Sequence, residues 1–114
     1  MPSDTGDLLQ GTLSILILKT LIAGPAHGYG IATWIQQTTH DVLRIQEGSL
    51  YPALRRLEDK GWVSSEWGLS DNNRRARYYS ITPSGRKRLR AEATVWVRYA
   101  AAIQQVLRAA PALA

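Results

Sequence analysis

The chain has 114 residues, 45% of them apolar, no cysteine and a formal net charge of +5 at neutral pH. That length supports one domain with a modest core. The lack of cysteine excludes disulfides and thiolate metal sites. His27 and His40 lie far apart in sequence with no carboxylate company, so neither a metal nor a cofactor is expected. The charge is uneven: the span from Asp71 to Arg90 holds seven basic residues against one acid, and the rest is about neutral. Such concentration serves polyanion binding, because each neutralised phosphate releases counterions. A solvated positive face would have the same composition.

Met1 to Asp7 is short, polar and acidic, unlike a signal peptide. The apolar run from Leu13 to Ile22 is interrupted by Ser14, Lys19 and Thr20 and is shorter than the ~20 residues that span a bilayer. A cytoplasmic protein with no membrane partner is therefore expected. Asp7, with Gln10 three residues on, predicts a capping box for a helix from about Leu8 to Ala23, stopped by Gly24-Pro25. Leu9, Leu13, Ile15, Leu16, Ile17, Leu18, Leu21 and Ile22 point nearly all round it. A helix of that kind is buried on more than one side, which in so small a domain implies a partner subunit. His27 reads as a turn residue opening a second helix, about Gly28 to Thr39, with Ile31 and Ile35 inward. Its Gly-x-Gly lacks the strand and the GK[ST] of a phosphate loop. Close approach to a backbone or a DNA phosphate explains the glycines better.

The third helix, Ser49 to Lys60, is the most informative element. Leu50, Leu54 and Leu57 form one narrow apolar stripe. The opposite face carries Ser49, Tyr51, Pro52, Arg55 and Arg56. Pro52 falls in the first turn, where a missing N–H costs nothing, and Gly61 ends the helix. This is the anatomy of a recognition helix for the DNA major groove. Arg55 and Arg56 are adjacent and cannot both point outward, which leaves one for an ion pair with Glu58 or Asp59. Arg56 is the arginine expected to read a guanine.

Trp62 to Trp67 and Arg77 to Ile81 favour strand. With the loop Gly68 to Asn73 they predict a hairpin carrying Arg74 and Arg75 near its tip. Tyr79 shares parity with Ile81 and should be core, leaving Tyr78 as the exposed aromatic. Trp34, Trp62 and Trp67 are expected in the core or at a dimer contact. Thr82-Pro83 is a strong helix start, and the last helix runs to about Ala110. Its roughly 28 residues would reach ~42 Å, too long for this domain to cover. Leu89, Trp96, Ile103 and Ala110, with Ala93, Ala100 and Leu107, repeat in heptads and predict helix pairing, widened by Val97, Tyr99 and Val106. Trp96 sits between Ala93 and Ala100. It either fills that space itself or, paired across a dimer axis, makes a slot for a flat aromatic or cationic effector.

The expected fold is mainly α with a small β-hairpin: a winged helix-turn-helix over residues 1–82 and a C-terminal dimerisation helix over 83–114. Four blocks carry a resemblance: Gly11-Thr-Leu with Leu18, His27-Gly-Tyr-Gly-Ile31, Gly48-Ser-Leu-Tyr-Pro-Ala-Leu54 with Leu57-Glu and Gly61, and Arg77-Tyr-Tyr-Ser-Ile-Thr-Pro-Ser-Gly85. On these the chain closely resembles the PadR family of bacterial transcriptional regulators, in its small subgroup with one short C-terminal helix. The resemblance implies a homodimer that binds a roughly palindromic operator on double-stranded DNA, represses nearby genes and is released by a small-molecule effector. It implies that Ser49, Tyr51, Pro52, Arg55 and Arg56 face the groove and that Lys19 and Tyr29 meet phosphates. It further implies that Gly28 lets the second helix approach the DNA backbone and that Arg74, Arg75 and Arg77 serve the wing. The wing loop Asp71-Asn-Asn-Arg-Arg-Ala76 departs from the family in lacking glycine and proline, and no motif marks an effector site.

Two rival readings stand beside this one. An enzyme would need a nucleophile–base pair, a phosphate loop, a metal cluster or paired carboxylates, and the sequence offers none of these. A winged-helix protein-interaction module without DNA binding is separable by salt, since DNA binding weakens steeply as salt rises.

Overall fold

The computed structural model describes the backbone of residues 6–111 and the side chains of residues 12–111. The expected capping box of Asp7 and Gln10, and the side chain of Leu9, lie outside the described residues. The elements are α1 (Gly6–Thr20) with a 3-10 turn (Leu21–Ala23), β1 (Ala26–His27), α2 (Gly28–Thr38), α3 (Glu47–Asp59), β2 (Val63–Leu69), β3 (Arg75–Ile81) and α4 (Pro83–Arg108). The fold is mainly helical with a small antiparallel sheet, the winged helix-turn-helix with an added C-terminal helix.

The sheet departs from the expected hairpin. It has three strands in the order β1-β3-β2, with Ala26 opposite Tyr79 and His27 opposite Tyr78. Two residues are too few to carry a period of two, so β1 left no signal. The hairpin strands also run further toward the turn than expected, to Leu69 and from Arg75. Their turn is closed by the Ser70 N–H donating to the Arg74 carbonyl at 2.8 Å and the Asn73 N–H to the Ser70 carbonyl at 2.9 Å. Asn73 supplies the left-handed residue, at φ 61°, where family wings often use glycine.

One core joins the layers: Leu13, Ile17, Leu18 and Leu21, then Ile31 and Ile35, the α3 stripe Leu50, Leu54 and Leu57 with Ala53, and Val63, Tyr79 and Leu89. The link from α3 to α4 is tightly built. Trp62 N–H donates to the Leu57 carbonyl and Gly61 N–H to the Glu58 carbonyl, with Gly61 at φ 77°. That double bond pattern is the glycine-ended helix stop known as the Schellman motif. Thr82 caps α4 by accepting from Gly85 N–H at 3.0 Å, and its hydroxyl donates to the Gly61 carbonyl at 2.7 Å. A Cβ on Gly85 would lie 2.0 Å from the Trp62 carbonyl oxygen, so only glycine permits this contact. The start of α4 is thereby fixed to the end of α3.

Beyond Leu89, α4 leaves the domain. It ends at Arg108, two residues short of the expected Ala110, and its 26 residues extend about 39 Å. Ala93 and Ala100 are half-buried, whereas Val95, Tyr99, Val106 and Leu107 are exposed, and Trp96 and Ile103 nearly half so. Ile15, Leu16 and Ile22 are only half-buried, in line with the all-round apolar character of α1. Of the two places expected for the tryptophans, the core is excluded for Trp67 and Trp34, which lie on the surface of the single chain, and Trp62 is half-buried with Lys60 and Arg88 stacked on its ring.

Candidate nucleic-acid interface

Burial of Leu50, Ala53, Leu54 and Leu57 decides which way α3 presents its polar face. Ala53 broadens the buried arc toward the side of Ser49 and Arg56, which turns Tyr51 and Arg55, one turn apart, toward the wing. Pro52 and Arg55 are exposed on the outer face. Arg56 lies on the other flank, lining a cleft of about 180 Å³ with Lys60, Trp62, Arg88 and Glu92. Neither arginine pairs with Glu58 or Asp59 among the described residues, contrary to expectation. Glu58 is taken by Arg77 at 3.6 Å and by the Ser65 hydroxyl, which donates to it at 2.6 Å.

Gly28 has a close neighbour within the chain. A Cβ there would lie 2.8 Å from the Tyr51 hydroxyl oxygen and 2.9 Å from its ring, so the glycine admits Tyr51 against the start of α2. Gly28, Tyr29 and Tyr51 form a ridge between two concavities. One, of about 840 Å³, lies between α2 and the start of α3 and includes Thr33, Gln36, Arg44 and Gln46. The other, of about 760 Å³, lies between the ridge and the wing and includes His27, Trp67, Asn72, Arg75, Arg77 and Tyr79. Tyr29 stands 76% exposed on the crest.

The wing is stiffened by stacking. The Arg75 and Arg77 guanidinium groups lie 4.5 and 5.5 Å from the centre of the Trp67 ring. Arg77 also donates through Nε to the Ser65 hydroxyl at 2.8 Å, so it is held, whereas Arg74 is exposed in the turn. Tyr79 is buried as expected, and desolvation pushes its hydroxyl pKa up, with the nearby Arg77 charge opposing. Tyr78 is half-buried rather than exposed: its hydroxyl donates to the Leu69 carbonyl at 3.0 Å and its ring packs on Gly68. Of the residues singled out from sequence, Gly28, Tyr29, Tyr51, Arg75 and Arg77 meet around one groove. Lys19, exposed at the end of α1, and Ser49 and Arg56 on the far flank of α3 do not line it. His27 and Trp67 are the groove residues that sequence reasoning passed over. The arginines opposite and beside Trp67 in the hairpin were the available signal for it.

A family model described as the transcriptional regulator PadR-like family matches residues 17–91. The chain belongs to that family. Members of the PadR-like family are transcriptional regulators, not enzymes. Among similar proteins, the transcriptional regulator Rv3488 of Mycobacterium tuberculosis is 40% identical over 81 residues, 70% of this chain and 71% of that one. The negative transcriptional regulator PadR of Bacillus subtilis is 25% identical over 77 residues, 68% of this chain and 42% of its relative's length. A solved transcriptional regulator from Clostridium thermocellum superposes with a TM-score of 0.78 at 33% identity, covering 87% of this chain and 96% of the other. In this PadR-like regulator, no group of three acidic, histidine or cysteine side chains among the described residues could hold a metal ion. Nor is any described helix long and apolar enough to cross a membrane.

Proposed function

We propose that this PadR-like regulator is a sequence-specific DNA-binding repressor that acts as a cytoplasmic homodimer on a roughly palindromic operator. The observation that carries the reading is the groove between Tyr29, Tyr51 and the wing, walled by Arg75 and Arg77 stacked on the Trp67 ring. Residues 1–82 bind the duplex. The outer face of α3, with Tyr51, Pro52 and Arg55, enters the major groove, while Tyr29, Arg74 and Arg75 engage phosphates. Residues 83–114 pair two chains through the uncovered apolar length of α4 and the half-covered side of α1. Pairing sets the two recognition helices one helical turn of DNA apart, ~34 Å. Repression is in keeping with the negative regulator among its relatives.

Release comes from a small aromatic or cationic effector. Trp96, 45% exposed in the single chain between half-buried Ala93 and Ala100, is the residue we assign to it. Ligand stacked there would change the separation of the α4 helices and hence the spacing of the reading heads. Titration with planar cationic dyes, followed by tryptophan fluorescence, should give binding that is lost in Trp96→Ala; equal binding by both removes the assignment. The function as a whole is tested by selecting bound sequences from a random duplex pool. A recovered inverted repeat whose binding weakens steeply with salt is expected. Failure to enrich any sequence, or salt-independent association with protein partners only, would overturn it.

A further inference from the structure

We infer that His27 is a DNA-phosphate ligand of the wing groove, donating to it through Nε2 as a neutral imidazole. The inference rests on the DNA-binding reading above. His27 is the N-cap of α2: its Nδ1 accepts from Gly30 N–H at 3.0 Å. A nitrogen that accepts must offer its lone pair, so in the neutral ring the proton resides on Nε2. The cap therefore fixes the tautomer. Nε2–H makes no hydrogen bond to protein among the described residues, and the ring lines the concavity shared with Tyr29, Trp67, Arg75 and Arg77.

The ring is also held in place. β1 pairs His27 with Tyr78, and the two rings meet edge-on with centres 5.3 Å apart. Capping alone does not call for a ring: serine, threonine, asparagine and aspartate cap at least as well with shorter side chains. What a histidine adds is a second ring nitrogen, held at a fixed angle by the cap. The groove around it has two arginines and one carboxylate, Asp71, and the ring stands at the amino end of the eleven-residue α2. Both favour an anion, and the anion that runs along such a groove is the phosphate backbone.

The test separates the cap from the ligand. His27→Ser keeps a capping oxygen but cannot reach the groove; His27→Ala loses both. Binding of each variant to the selected operator duplex is measured across a salt series, alongside thermal unfolding. His27→Ser keeps the cap but gives up the edge-on contact with Tyr78, so it is expected to unfold slightly below the native temperature and above His27→Ala, yet to bind about tenfold more weakly. Its slope of log affinity against log salt should equal the native slope, since no charge has been removed. His27→Ala should lose stability as well, and Arg75→Ala should lower the slope. Native affinity in His27→Ser would reduce His27 to a cap and overturn the inference. A lowered slope in His27→Ser would also overturn it, by showing that the imidazole acts as a cation. If native protein and Arg75→Ala alike bind no duplex, the DNA reading itself fails, a different result from either.

Discussion

Gly28 offers the sharpest test of how α2 and α3 are joined. Replacing it with alanine places a methyl 2.8 to 3.0 Å from three atoms of Tyr51. Ordinary carbon contacts begin near 3.4 Å, so Tyr51 must withdraw by about half an ångström or rotate into the groove. Overpacking of that size costs ~1–3 kcal/mol. Alanine at a helical position returns roughly 0.5–1 kcal/mol relative to glycine, because Gly28 begins α2 without positive φ. A net loss of ~1–2 kcal/mol is expected in urea unfolding. The same substitution in a Tyr51→Ala background has nothing to strike and should be neutral or slightly stabilising. The helix-propensity gain cancels in the cycle, which therefore predicts a coupling of ~1–3 kcal/mol between positions 28 and 51. Operator affinity should fall with Gly28→Ala even at temperatures where the variant is folded, since a displaced Tyr51 stands in the wing groove. Equal destabilisation in both backgrounds would refute the reasoning.

Three further outcomes follow from the same geometry. Ile103→Glu puts a charge in the uncovered stripe of α4 and should yield monomer or aggregate by sedimentation; a well-folded native monomer at micromolar concentration would remove the dimer altogether. Arg55→Ala should cost ~1–3 kcal/mol at the operator and relax its base preference, with Arg56→Ala costing less, whereas Arg74→Ala should weaken all duplexes alike; the reverse order at 55 and 56 would mean α3 enters DNA on its other flank. Tyr79 ionises less readily when folded than unfolded, because desolvation raises its pKa, so its contribution is intact at neutral pH and lost as pH climbs through about 10 toward the folded value. Tyr79→Phe should then lose less stability than the native chain between about pH 9 and pH 11, and parallel urea-midpoint profiles would contradict the burial argument.

What could be read from the sequence depended on how far each signal reached. The α3 stripe and the Thr82-Pro83 start of α4 were plain, because each contrasts sharply with its neighbours over a whole turn. Which flank of α3 each of the exposed Arg55 and Arg56 takes was not. Adjacent residues differ by ~100° on a helix, and the choice hinged on Ala53, too small to register as core. The exposure of Trp67 has a related cause. The paired positions Val63–Ile81, Ser65–Tyr79, Trp67–Arg77 and Leu69–Arg75 run in order up the hairpin with alternate parity, on one face of the sheet. At its base this face is core, with Val63 and Tyr79 buried. Two residues higher the helices no longer cover it, and Trp67 emerges with arginines stacked on it. A period of two reports which residues share a face; only the covering layer decides where that face stops being interior. The proposed DNA groove is thus the continuation of the hydrophobic core past the edge of its helices. That geometry explains why its residues alternate like core while carrying charge like surface.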